Sequence, residues 1–178
     1  MKKIVLLFVV LICLQVAALA VPDSAITGPY KISFDLNKTN GTDYNIKIDD
    51  MKTTETLSGD KQSVYGITIA SMTDPSKTIS ITLINDEKVR ESTTQPTLEL
   101  ALKQLINSLS GRNIETATRL IDSTQGSVAS FDFGPIKGYA AIYFPTIDPK
   151  HLEVALLSTY LWDEGTLQLL KTIHITKI

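Results

Sequence analysis

The sequence predicts an α+β domain, an antiparallel β-sheet flanked by helices in an α/β/α sandwich, and three observations point there. Apolar residues alternate with polar ones in several short runs separated by turn residues, the period of half-buried strands. Between Leu98 and Leu109 the period changes to that of an amphipathic helix. The run Leu152 to Leu161 is apolar on both faces, which suits a central strand of a sheet that helices cover on both sides.

The elements follow in order. Lys2 and Lys3, the apolar run Ile4 to Leu14 and the small residues of Ala18-Leu19-Ala20 have the three-part layout of a secretory signal, so residues 1–20 are expected to be removed. Gln15 and Pro22 make this run too short for a permanent membrane span, and no transmembrane helix is expected in the mature form. Residues 21–29 are polar and contain proline, and are expected to form a flexible lead-in. Residues 30–178 then make a single domain.

Within it, Tyr30, Ile32, Phe34 and Leu36 alternate as a strand. Asn37 to Thr42 is a polar turn, and Tyr44, Ile46 and Ile48 form the next strand. Thr53 to Leu57 is too short and polar to assign. Tyr65, Ile67 and Ile69, then Ile79, Ile81 and Leu83 after the turn Asp74-Pro75-Ser76, complete four strands of an expected meander. Thr97 can cap the helix that carries Leu98, Ala101, Leu102, Leu105, Ile106 and Leu109, with Gly111 ending it in the left-handed conformation.

Asn113 to Asp122 fits a helix through Ile114, Ala117 and Ile121. Thr116, Thr118 and the turn Asp122 to Gly126 favour a strand and hairpin. Ala129, Phe131 and Phe133, then Gly138 to Phe144, continue the alternation on either side of Gly134-Pro135. Asp163 and Glu164 can open a last helix bearing Leu167, Leu169, Leu170 and Ile173.

The order of elements resembles the Mog/PsbP superfamily. The likeness rests on the helix opening Pro96-Thr97-Leu98-Glu99-Leu100-Ala101, and on the tail from Leu152 through Trp162-Asp163-Glu164-Gly165-Thr166 to Ile175. The resemblance implies a PsbP-like α/β/α sandwich. It carries over no functional residue, and the chain lacks a strand that PsbP proteins often place before the last helix. The superfamily includes accessory proteins of photosynthetic complexes and a regulator that binds a small GTPase, so the fold alone does not set a function.

Composition narrows the function classes. The chain has a net charge of −2, and loss of Lys2 and Lys3 with the signal makes the mature domain more acidic. It has no lysine or arginine cluster, so no partnership with nucleic acid is expected. The sole cysteine, Cys13, leaves with the signal, which removes disulfides and thiolate metal ligands.

His151 and His174 are the only bases of their kind. Both lack a nucleophile motif, His151 lying in a polar turn and His174 near the end of the last helix. Asp35, Asn37 and Thr39 are faintly spaced like calcium ligands, but Gly41 comes one place late and Ile46 replaces the expected acid. No catalytic residue, metal site or cofactor is therefore expected.

Asn37 and Asn40 head two triplets that are candidate glycosylation acceptors. Trp162 is a candidate anchor for a partner, or a plug at the end of the core. The leading expectation is a secreted or extracytoplasmic, surface-associated module that is not an enzyme and works with an unidentified protein partner at the cell envelope. The alternative is a carrier of a small apolar ligand in a pocket lined by Phe131, Phe133, Tyr139 and Tyr143. A hydrolase built on one histidine ranks third.

Overall fold

The structure, a computed structural model, describes residues 23–36, 43–55, 59–158 and 163–178. Ten strands and two helices occur among them. In chain order they are β1 (Asp23–Thr27), β2 (Tyr30–Phe34), β3 (Tyr44–Glu55), β4 (Lys61–Ser71), β5 (Thr78–Asp86), α1 (Gln95–Ser108), β6 (Arg112–Ile121), β7 (Thr124–Phe133), β8 (Ile136–Tyr143), β9 (Leu152–Ser158), α2 (Asp163–Thr172) and β10 (His174–Lys177). The fold is a mostly antiparallel β structure with two helices. Neither helix is long and apolar enough to cross a membrane.

Seven strands form one antiparallel sheet in the order β3-β4-β5-β9-β8-β7-β6. Its halves are two meanders, β3-β4-β5 and β6-β7-β8. β9 closes the gap between them, so the strand that is apolar on both faces is the central one. Strand pairing on both sides satisfies its backbone while both faces stay in contact with apolar neighbours. The segment after Asn113 is a strand, β6. It turns into β7 through Asp122 and Ser123, whose φ values of 46° and 64° suit a two-residue hairpin of the primed type.

The Tyr30 strand departs from the expected meander. β2 pairs with β1 on one side and β10 on the other, making a separate three-stranded sheet from the two ends of the domain. Tyr30, Ile32 and Phe34 are fully buried, so this small sheet lies across the large one and does not extend it. Asp23–Thr27, expected within a flexible lead-in, is fixed as β1 because its backbone completes the β2 ladder and Ala25 is buried. β3 runs on to Glu55, through residues too polar to be assigned from sequence. Pairing with Lys61–Val64 holds it there.

Two apolar clusters fill the two faces. Ile32, Phe34 and Ile175 of the small sheet pack with Ile67, Ile69, Ile81, Val154 and Leu156 of the large one, joined by Leu169 and Leu170 of α2. On the opposite face Leu98, Leu102 and Ile106 of α1 cover Ala129, Phe131, Ala140, Ile142 and Phe144. Burying side chains of this size stabilises by roughly 1.5–3 kcal/mol each before the entropy of ordering them is counted.

The ends of α1 differ from the sequence expectation. Thr94, not Thr97, is the N-cap, because Pro96 fits the first turn, where its missing N–H is no loss. At the other end Ser110 takes the left-handed conformation (φ 62°), its N–H bonding Asn107 O and that of Gly111 bonding Ile106 O. Gly111 is required for space. A Cβ there would overlap Ile106 and Phe131.

Candidate functional site

Asn37, Asn40 and Trp162 lie outside the described residues, as does the segment 1–20. The chemistry that can be built from the structure therefore starts with the two histidines.

His174 does not end the last helix. It opens β10, and its Nδ1 lies 2.6 Å from Asp122 Oδ1. The N–H of Ile175 donates to Asp122 Oδ2 at 3.1 Å. Asp122 is buried in the hairpin turn while the imidazole is more than half exposed, at 4% and 57% of side-chain surface. The Tyr143 hydroxyl is buried near this carboxylate. Burial first, and the Asp122 charge second, hold its proton well beyond the usual phenol range.

His151 forms the second pair, its Nδ1 2.8 Å from Asp148 Oδ1 in the turn that enters β9. That turn is tied at the backbone as well, through Leu152 N to Asp148 O and Asp86 N to His151 O. His151 is half-buried, not the solvated loop residue that its sequence context suggests. In both pairs the imidazole meets a carboxylate. A serine or threonine hydroxyl, the third member that nucleophilic catalysis needs, is not among their hydrogen-bond partners in the described residues.

A polar cluster sits where the 87–94 loop crosses the sheet. Arg90 Nη2 is 2.7 Å from Asp86 Oδ2, and its guanidinium stands 5.2 Å from the centre of the Phe144 ring. Gln62 donates to the other Asp86 oxygen at 2.6 Å. Beside them the Glu153 carboxyl is pushed above its usual range. Burial is the main cause, with Asp86 adding to it and Arg90 opposing it.

Open depressions mark the described surface. One of about 350 Å³ lies at the bulge of β3, lined by Lys47, Asp49, Gly66 and Thr82. Another of about 290 Å³ lies between α2 and β6-β7, lined by Glu115, Arg119, Tyr139 and Leu167. Both carry charged groups on their walls. The aromatics considered for a carrier pocket do not converge. Phe131 packs under α1, Tyr143 belongs to the opposite cluster, Tyr139 is half-buried and Phe133 is exposed.

The least covered region is the sheet itself. α1 packs over β7 and β8, and α2 with the small sheet lies over the other face. On the α1 side of β3, β4 and β5, no described helix or strand lies over the row Lys47, Asp49, Thr68, Ala70, Thr78, Ser80 and Thr82. These side chains alternate with the buried isoleucines, so each one's neighbour points into the core. Asp49 bends inward over Gly66, its carboxylate 3.4 and 3.5 Å from the Thr68 hydroxyl. The result is a platform of small hydroxyl and methyl side chains, with charge at its rim and the depression beside the β3 bulge at that rim. Sequence alternation gives the strands but does not reveal that one helix is too few to cover the sheet.

Comparison of the chain with protein-family models, with curated proteins and with solved structures found no match.

Proposed function

We propose that this protein is an exported interaction module that is not an enzyme and recognises a protein partner at the cell envelope through the platform on β3, β4 and β5. One observation carries the reading: on the α1 side of this half of the large sheet, the row through Thr68, Ala70, Thr78, Ser80 and Thr82 is only half-buried, and α1 packs instead over β7 and β8. A sheet face of threonine, serine and alanine offers hydroxyl groups that a partner can meet with hydrogen bonds, and its rim charges at Lys47 and Asp49 can set the register of that partner. Export rests on the layout of residues 1–20, and glycans at Asn37 and Asn40 belong to the same reading. The PsbP-like α/β/α layout is also part of it, supported by Pro96 in the first turn of α1 and by β9 running between two packed faces.

The test is expression with the native N-terminus in an exporting host, followed by cross-linking of the mature protein in place. The expected chain begins at Val21. The expected partner is captured by wild type and lost with Ser80→Arg, which places a long charged side chain in the middle of the platform. Retention of the intact chain in the cytosol, or capture that ignores Ser80→Arg, would overturn the proposal.

A further inference from the structure

β6 is an edge strand, paired with β7 on one side only. Its outer N–H and C=O groups can accept another strand, and an edge of this length invites one unless it is blocked. Its side chains divide between two faces. Ile114 packs with the cluster under α1, and the Thr116 hydroxyl donates to Glu99 of α1 at 3.3 Å, so Ile114, Thr116, Thr118 and Leu120 share the α1 face. Glu115, Ala117 and Arg119 occupy the other. Glu115 and Arg119 form no ion pair among the described residues, and Arg119 Nη1 bends back to the Thr118 carbonyl oxygen at 3.3 Å. Leu120 is 69% exposed.

We propose that the chain forms a symmetric dimer in which β6 pairs antiparallel with β6 of a second copy about a two-fold axis at Ala117. In that register Ala117 faces its own copy, Thr116 faces Thr118, Glu115 faces Arg119 and Ile114 faces Leu120. Symmetry makes each of the last three pairs occur twice. Opposite charges, threonine pairs and apolar pairs directly across two strands all stabilise an antiparallel ladder. Moving the axis to Glu115 sets glutamate on glutamate, and moving it to Arg119 sets arginine on arginine. At Thr116 or Thr118 the opposite charges no longer meet.

The other edge of the sheet is built differently. β3 carries Lys47, Asp49, Asp50, Lys52 and Glu55, and a bulge between Asp49 and Lys52 kinks its middle. In β6 the irregularity is confined to its start, between Arg112 and Glu115, where Asn113 has φ 51°. The regular part, 115–121, carries the axis and the Glu115–Arg119 and Thr116–Thr118 pairs, and only the outer Ile114–Leu120 pair reaches into the irregular start. With β3 blocked, the pairing closes at two copies and does not propagate.

Sedimentation of the mature chain over a range of concentrations tests this. Wild type is expected to dimerise. Glu115→Arg and Arg119→Glu, each setting like charges across the axis, are expected to weaken the dimer at least tenfold. Mixing the two variants restores association, because every introduced charge then meets its opposite, and the double variant Glu115→Arg/Arg119→Glu dimerises by itself. Circular dichroism confirms that each variant is folded. A wild type that stays monomeric at hundreds of micromolar, single variants that dimerise as well as wild type, or a mixture that fails to associate would each overturn the proposal. Capture of an unrelated strand at β6 by a monomeric wild type would do the same.

Discussion

His174 and Asp122 join the last strand to the first hairpin of the second meander, Nδ1 to Oδ1 at 2.6 Å across a separation of 52 residues. The carboxylate does more than meet the imidazole. It also accepts the Ile175 N–H, and because the carboxylate is buried, that backbone donor finds no water in its place, whereas the exposed imidazole does.

Asp122→Ala should therefore cost about 2–3 kcal/mol and lower Tm by roughly 5–10 °C, since a buried donor is left unmet and a left-handed position receives alanine. His174→Ala should cost about 1 kcal/mol or less, because the exposed ring can be replaced by water. Thermal unfolding of both variants checks the order. Equal losses would mean that the imidazole, not the backbone bond, holds β10 in place.

Phe131 stands directly across from Gly138 in the β7-β8 ladder, and its ring lies over the glycine. A Cβ at Gly138 would overlap three ring carbons, and the ring cannot move away because Gly111 and Ile106 close its other side. Gly138→Ala should cost about 1–3 kcal/mol through overpacking, despite alanine's better strand propensity. The variant Gly138→Ala/Phe131→Leu should recover part of that loss, measured by denaturant midpoint.

Much of this fold was legible in local pattern. The alternations at Tyr65 to Ile69, Ile79 to Leu83 and Phe131 to Phe133 gave strands, and the run that starts at Leu152 gave the central strand, described from Leu152 to Ser158, because side-chain period and burial are local properties. What escaped was long-range. Tyr30, Ile32 and Phe34 read as one more meander strand, since alternation cannot say which sheet a strand joins. Pairing with β10, far along the chain, decides that. His174 read as a helix end because Ile173 and Ile175 fit either period, and the turn that supplies Asp122 is distant in sequence. The open platform was invisible for a related reason. Its threonines and serines are ordinary solvent-side residues of strands, and only the placement of α1 shows that a sheet expected to be covered on both faces is half bare on one.

The two clusters lie on opposite faces of one sheet, so their losses should add. Leu102→Ala under α1 and Ile32→Ala in the small sheet should each cost about 2–4 kcal/mol, both side chains being fully buried. The double variant should lose close to the sum if the sheet between them stays rigid. Chemical denaturation measures this. A double loss far below the sum would show that the first cavity already loosens the second cluster.

Glu153 makes the stability of the fold depend on pH. Its proton is held more tightly in the folded chain than in the unfolded one, by burial first and by Asp86, with Arg90 only partly offsetting them. As pH rises past about 4.3, where an ordinary glutamate ionises, the unfolded state releases this proton while the folded state keeps it. The contribution of Glu153 to stability is thus complete below that pH. It is lost as pH climbs through the folded-state value, and is constant above it. Glu153→Gln cannot ionise, so it should match wild type at acid pH and exceed it at neutral pH. The difference between the two proteins, not the curve of either, is the quantity to measure, because every other carboxylate cancels from it. A difference that shrinks with rising pH would mean that the attraction of the Arg90 charge outweighs the burial of the carboxylate.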